Sequence, residues 1–171
     1  GTQFVYTAAD MDLLLDENLN LNVIAGNVYY TDDNNRPFIR TKLTWTFMPE
    51  YGLSTYLRTR NQSDSNPGSQ NYYSPETLAQ QAIGLQIRKP YNGLVYTAGV
   101  EYGSEQATSY SRVFDTTSSS RNPIYSWTLG VQTNPGRKTG TTFGISLIGS
   151  NTSITGAAGS NYDWYGLNSW I

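Results

Sequence analysis

Between Arg36 and Arg60 the chain alternates with a period of two residues. Ile39, Thr41, Leu43, Trp45 and Phe47 fall on one face of an extended segment, and Arg40, Lys42, Thr44 and Thr46 on the other. After Met48-Pro49-Glu50 the alternation resumes, with Tyr51, Leu53, Thr55 and Leu57 on an apolar face and Ser54, Tyr56, Arg58 and Arg60 on a polar one. Successive side chains of a strand point to opposite faces, so β-branched and aromatic residues at this period predict two strands joined as a hairpin. A turn centred on Glu50 sets Phe47 opposite Leu53, Trp45 opposite Thr55 and Leu43 opposite Leu57. On the polar face it sets Lys42 opposite Arg58 and Arg40 opposite Arg60.

The same unit recurs along the chain. Residues 1–15 alternate weakly and predict a strand ending in a turn at Asp16-Glu17-Asn18. In Leu19–Tyr30, Leu19, Leu21, Val23 and Ala25 share one face while Ile24, Val28 and Tyr30 lie on the other, so a bulge is expected near Gly26. Thr31–Asn35 is a polar loop and Asn61–Thr77 a long one. Leu78–Lys89 forms the next strand, and Asn92-Gly93 is a strong hairpin signal because both central residues of a type I′ turn need positive φ. Closing there sets Ile87 opposite Ala98, Leu85 opposite Val100 and Ile83 opposite Tyr102. Ser104–Asn122 is expected to be a long polar loop. Ile124–Thr133 and Thr139–Gly149 pair about a turn at 134–138, with Val131 opposite Thr141, Leu129 opposite Phe143 and Trp127 opposite Ile145. Asn151–Ser160 is a loop, and Tyr162–Ile171 a last strand with aromatics on both faces. The expected architecture is all-β, a single domain over 1–171, built as an up-and-down antiparallel meander of about 8–9 strands.

Composition narrows the chemistry. The 171 residues contain no cysteine and no histidine, which removes disulfides, thiolate metal sites, the Ser-His-Asp triad and the commonest zinc ligand. The net charge of −2 leaves no nucleic-acid footprint. Aromatic residues make up 13% of the chain and are patterned, which argues against disorder. No apolar run reaches the ~18 residues of a membrane helix. No signal-peptide pattern precedes Gly1, as expected of a mature or trimmed product.

Alternation defines two faces without saying which meets water. A soluble barrel or sandwich buries its apolar face, whereas a transmembrane β-barrel turns it to lipid. Three features favour the membrane arrangement. The predicted strands run about 9–12 residues, which suits a tilted crossing and exceeds the ~5–6 of a typical globular strand. Tyr29, Tyr30, Phe47, Tyr51, Tyr91, Tyr102, Tyr125, Tyr162 and Trp164 cluster towards strand ends, as interfacial girdles do. Short turns alternate with longer loops, as in outer-membrane proteins. On this reading Arg40, Lys42, Arg58, Arg60, Arg88, Glu101 and Glu105 line a lumen, with Gln80 and Gln86 between them. The like-charged cross-strand pairs Lys42/Arg58 and Arg40/Arg60 need an offset from water, from neighbouring carboxylates or from an anionic solute.

Other chemistry fares worse. Glu101 and Glu105 stand about 13–14 Å apart along a strand, beyond the ~5–9.5 Å of glycosidase carboxylate pairs. Asp32-Asp33-Asn34-Asn35 and Asp10-x-Asp12 lack the spacing of an EF-hand and are expected to be solvated turns. Tyr72, Tyr73, Tyr110 and Trp164 are candidates to stack on sugar rings at a barrel mouth, against the plainer role of interface anchors or loop packing. The sequons at Asn61 and Asn151 matter only in a eukaryotic secretory setting. No enzyme activity, cofactor or metal is expected.

A long polar loop ending in Tyr72-Tyr73-Ser74-Pro75-Glu76 and entering an amphipathic strand resembles the C-terminal barrels of bacterial exopolysaccharide export porins. These are the outer-membrane subunits of cellulose and poly-N-acetylglucosamine secretion. The strand-turn rhythm from Leu19 to Leu147 is similar to theirs. The resemblance implies a passive polar conduit for a polysaccharide in the outer membrane, without catalysis, lined by Arg40, Arg58, Arg60, Arg88 and Glu101. Outer-membrane lipid and periplasmic secretion components would be its partners. The chain departs from that family in having no helical repeats before the strands, about half as many strands, and a terminal DWYGLNSWI without clean alternation. A smaller self-closed barrel, a fragment of a larger one, and a secreted or cell-surface all-β module that binds or assembles through its sheet edges therefore remain alternatives.

Overall fold

A computed structural model describes residues 2–69, 72–133, 143–151 and 164–170, the last segment through its backbone. Among them, nine strands form one antiparallel meander in sequence order: β1 (Phe4–Asp16), β2 (Leu19–Tyr30), β3 (Asn35–Met48), β4 (Leu53–Ser63), β5 (Thr77–Tyr91), β6 (Leu94–Ser111), β7 (Thr116–Thr133), β8 (Gly144–Ser150) and β9 (Trp164–Trp170). Among the described residues β1 pairs with β2 alone and β9 with β8 alone, so the sheet they form has two free edges and is not closed into a barrel. A barrel closed by these strands alone is thereby corrected. Closure brings the first and last strands side by side, and here they lie at opposite ends of the hydrogen-bonded order.

Registers follow the apolar pattern where a tight turn fixes them. Asn92, at φ 50°, and Gly93, at φ 77°, form the two-residue loop between β5 and β6. Ile87 faces Ala98, Leu85 faces Val100 and Ile83 faces Tyr102, as the sequence predicts. Between β3 and β4, Trp45/Thr55, Leu43/Leu57, Lys42/Arg58 and Arg40/Arg60 also pair as expected. At the turn a short 3-10 segment, Pro49–Tyr51, and an irregularity between Thr46 and Met48 set Leu53 against Met48 instead of Phe47.

Four expectations are corrected. Gly26 carries no bulge: it pairs in an unbroken ladder with Ala8 and Phe38, and the irregularity lies between Leu14 and Asp16. The apparent change of face came from Ile24, Val28 and Tyr30, apolar residues on the polar face. The loop expected at Ser104–Asn122 is mostly strand, with β6 and β7 paired out to Ser111 and Thr116 around a turn at Arg112–Asp115. Both faces are polar there, so alternation vanishes although the ladder continues, supported by the Thr108–Ser119 hydroxyl contact at 3.1 Å. β4 likewise runs to Ser63. Finally, Val131 faces Ile145 and Leu129 faces Leu147, four residues from the expected register. An even displacement keeps each side chain on its predicted face. The turn residues 134–138, the partner Thr141 and the start of that predicted strand lie outside the described residues, as do Tyr162, Asp163 and Ile171.

The two faces differ in burial in an unusual sense. Along Thr77–Gly84 and on to Ile87, side chains on the Arg/Glu face are covered and those on the Ile/Leu face open: Gln80 is 2% exposed, Ile83 57% and Leu85 47%. Val100, Tyr102, Leu129, Ile145 and Leu147 continue the exposed apolar surface on neighbouring strands. The buried residues Phe38, Leu78, Ala82, Val95, Ala107 and Ile124 share the other face with Gln62, Gln80, Glu101 and Glu105. Curling a sheet crowds side chains on its concave side and spreads them on its convex side, so the polar face is the inner one.

Candidate functional site

The inner face of β3–β6 carries the charged cluster. Small side chains on β5 make it possible. Arg58 on β4 pairs with Ala82, and Glu101 on β6 pairs with Gly84, so nothing tall on β5 stands between them. The Arg58 guanidinium crosses that gap and grips Glu101 with two hydrogen bonds, Nε to Oε2 at 2.9 Å and Nη2 to Oε1 at 2.6 Å. Its Nη1 also reaches Gln80 Oε1 at 3.4 Å, and Gln80 Nε2 donates to Glu105 at 2.5 Å. Lys42 Nζ lies 4.0 Å from the centre of the Tyr56 ring and donates to Gln86 Oε1 at 3.3 Å. The Tyr56 ring covers Gly84 so closely that a Cβ there would fall 2.1 Å from Tyr56 Cζ.

The structure thus brings together Arg40, Lys42, Arg58, Arg60, Glu101 and Glu105 from the predicted set. Arg88 stands apart: it is exposed near the short turns, and its backbone N–H donates to Gly52 O at 2.9 Å. The Glu101 carboxylate, two strands away from Arg58, supplies the offset that the Lys42/Arg58 repulsion requires.

A second cluster closes over the long-loop end. Residues 64–66 and 72–74 fold back onto Asn34, which is 2% exposed. Asn34 Nδ2 donates to Asp64 at 2.7 Å, Tyr72 at 2.9 Å and Ser74 at 3.3 Å, and its Oδ1 accepts from the Asn66 N–H at 2.9 Å. Arg36 donates through Nε to Asp64 at 2.9 Å and through Nη2 to the Tyr73 carbonyl at 2.6 Å. Burial raises the Asp64 carboxyl above its ordinary value, with Arg36 and Asn34 pulling the other way. Burial also pushes the Tyr73 phenol up to about 12, helped by the charge of Glu105. Arg112, from the β6–β7 turn, holds the same loop at Asn66 and the Pro67 carbonyl.

The four stacking candidates separate. One face of Tyr72 is covered by Tyr30, with ring centres 4.3 Å apart and planes within 5°, and its hydroxyl donates to Asp32 at 3.0 Å. Tyr73 is half-buried beside the cationic cluster. Tyr110 lies on the projecting β6–β7 hairpin with its hydroxyl on Asp115 at 2.6 Å. Trp164 begins β9, and its side chain lies outside the described residues. Asp10 and Asp12, expected in a solvated turn, are exposed but lie within β1, where both accept from Asn22 Nδ2, at 2.7 and 3.0 Å.

Sequence reasoning missed Arg36 and Asp64, and it expected Asn34 in a solvated turn, whereas Asn34 is buried. Arg36 falls on the same parity as Arg40 and was within reach; Asn34 and Asp64 carry no periodic signal because they lie in or beside loops. A depression of about 690 Å³ opens on the outer face beside Leu57, Ile83 and Tyr102, with Arg58 and Arg121 also among its lining residues. Neither a scan against models of known protein families nor a search among curated proteins finds a match to this chain.

Proposed function

We propose that this chain is a sector of an outer-membrane β-barrel. Its Leu/Ile/Tyr face turns to lipid, and its Arg/Glu face lines an aqueous conduit for a polar solute, a polysaccharide being the class the porin resemblance implies. Outer-membrane lipid and periplasmic secretion components are its partners, and no catalytic step is assigned to it. The observation that carries the reading is the inverted burial along β5, where Gln80 is covered and Ile83, Leu85 and Ile87 are open. A sheet in water gains by burying its larger apolar side chains, and monomeric soluble proteins rarely expose contiguous apolar surface beyond a few hundred Å². The height of the surface agrees. On β5 it is bounded by Gln81 and Lys89, which at ~3.4 Å per residue are about 27 Å apart. At a tilt of ~40° that is about 21 Å, near the ~25 Å apolar band of outer-membrane barrels. Tyr102 and Tyr125 border it at the loop end, and Tyr91, Tyr96 and Tyr51 at the turn end.

The free edges at β1 and β9 favour a second reading, a secreted module that assembles by strand addition. Partitioning of the natively expressed protein, with a gel shift of unheated against boiled detergent extract, separates the two. Recovery in outer membranes with a heat-dependent shift supports the barrel; recovery in detergent-free buffer refutes it. For the conduit itself, Arg58→Glu with Arg60→Glu is expected to move ion selectivity towards cations, and unchanged conductance and selectivity would remove these residues from the lining.

A further inference from the structure

The arginines of the inner face are not equally provided for. Arg36 has Asp64 and Arg58 has Glu101, at 2.9 and 2.6 Å. Among the described residues, no carboxylate lies within salt-bridge distance of Arg40 or Arg60. These two are direct cross-strand partners, with Cβ atoms about 5 Å apart by strand geometry. Their heads lean the same way. The Arg40 guanidinium lies 5.0 Å from the centre of the Phe38 ring, and Arg60 Nη2 donates to Gln62 Oε1 at 2.7 Å. Phe38 and Gln62 are themselves cross-strand partners, so both heads reach toward the same pair, and the charge of Arg40 acts on Arg60. The Nε of each is buried and has no hydrogen-bond partner among the described residues. Buried donors without acceptors, on two like charges held together, destabilise a fold unless a further group joins them.

We propose that Arg40 and Arg60 form a subsite for an oxyanion, the carboxylate of an acidic sugar or a phosphate. A planar or tetrahedral set of oxygens between two guanidinium forks accepts from both arginines and cancels their repulsion. Both side chains keep part of their surface open, which gives the anion access. A neutral sugar offers only hydroxyls, and a cationic one is repelled. The proposal deepens the conduit reading and rests on it only for how the solute arrives; it directs the search to acidic polymers instead of neutral or amino-sugar ones.

The test follows the arginine Nε–Hε signals in ¹⁵N–¹H correlation spectra of the full chain, in whichever medium it is recovered. Sodium glucuronate, inorganic phosphate and glucose are the separate titrants. Saturable movement of the Arg40 and Arg60 signals with glucuronate but not glucose, with apparent affinity weakened about tenfold or more by Arg60→Gln, supports an acidic-sugar subsite. Saturation by phosphate alone supports the oxyanion site with phosphate as its source. No movement with either anion, or equal movement of the exposed Arg112, overturns the subsite. Because the titration runs on the unaltered protein, a failed variant does not obscure it. A detergent-free protein whose Arg40 and Arg60 still respond would lose the conduit and keep the subsite.

Discussion

Replacing Leu85 with arginine sets the two orientations of the sheet against each other. Leu85 lies on the outer face of β5, 47% exposed, four residues from Gln81 and four from Lys89. It is therefore at the middle of the apolar band, with Thr55 and Val100 as its cross-strand neighbours. At ~3.4 Å per residue and a tilt of ~40°, each polar boundary is about 10 Å away. An arginine at that depth in lipid costs about 2–4 kcal/mol. At a water-facing position the same change stays within about 0.5 kcal/mol. Gln81→Arg, at the boundary, is expected to cost about 0–1 kcal/mol. The assay is denaturant unfolding from phospholipid liposomes, followed by tryptophan fluorescence, with Leu85→Ala to subtract the loss of packing. Two variants of equal stability, Leu85→Arg and Gln81→Arg, would refute the lipid-facing assignment.

Three further outcomes are expected. Glu101→Gln strips Arg58 of a carboxylate that is 7% exposed. A broken buried pair costs about 3–5 kcal/mol, and Arg58, itself 20% exposed, places the loss near the lower bound, roughly a 150-fold change in the unfolding constant. Unfolding midpoints of Arg58→Met with Glu101→Leu should return to within about 1 kcal/mol of the parent, and simple additivity of the single changes would contradict a coupled pair. Gly84→Ala drives a Cβ into the Tyr56 ring and is expected to cost about 1–3 kcal/mol, much less in a Tyr56→Ala background; equal losses in both backgrounds would count against the contact. Asp64, raised above 3.8 by burial, binds its proton more tightly folded than unfolded. Its contribution to stability is therefore fully present below the unfolded value and is lost as pH rises through the folded one. A carboxyl ¹³C titration should give a midpoint above 3.8, and one at or below it would contradict the direction.

Where two residues fixed a turn, the pattern of apolar positions sufficed. Asn92-Gly93 determined the β5–β6 register, and the Leu43–Leu57 match determined that of β3 and β4. The register failed at β7–β8, because the apolar face of β8 repeats every two residues and fits β7 equally well after an even displacement. The outer parts of β6 and β7 were hidden for a different reason: Ser and Thr on both faces leave no alternation to detect. Of the inner-face cluster, Arg40, Lys42, Arg58, Arg60, Glu101 and Glu105 were legible, since parity alone puts them together. The partnership of Arg58 with Glu101 was not, because it skips a strand and depends on the small residues Ala82 and Gly84 between them. The packing of Asp64, Tyr72 and Ser74 onto Asn34 depends on contacts 30 to 40 residues apart in sequence and left no local trace.

Each of the eight pairings from β1 to β9 is antiparallel, so β9 points the same way as β1. The two free edges cannot meet in an antiparallel seam. Joined directly they make a parallel ladder, with slanted hydrogen bonds and slightly less stability per residue. An antiparallel seam requires an odd number of additional strands between them. Nor does a two-fold copy at β1 help within a membrane, because that rotation carries the long loops of one copy to the side occupied by the tight turns of the other. The direction of one strand thus limits how any ring containing this sheet can be completed.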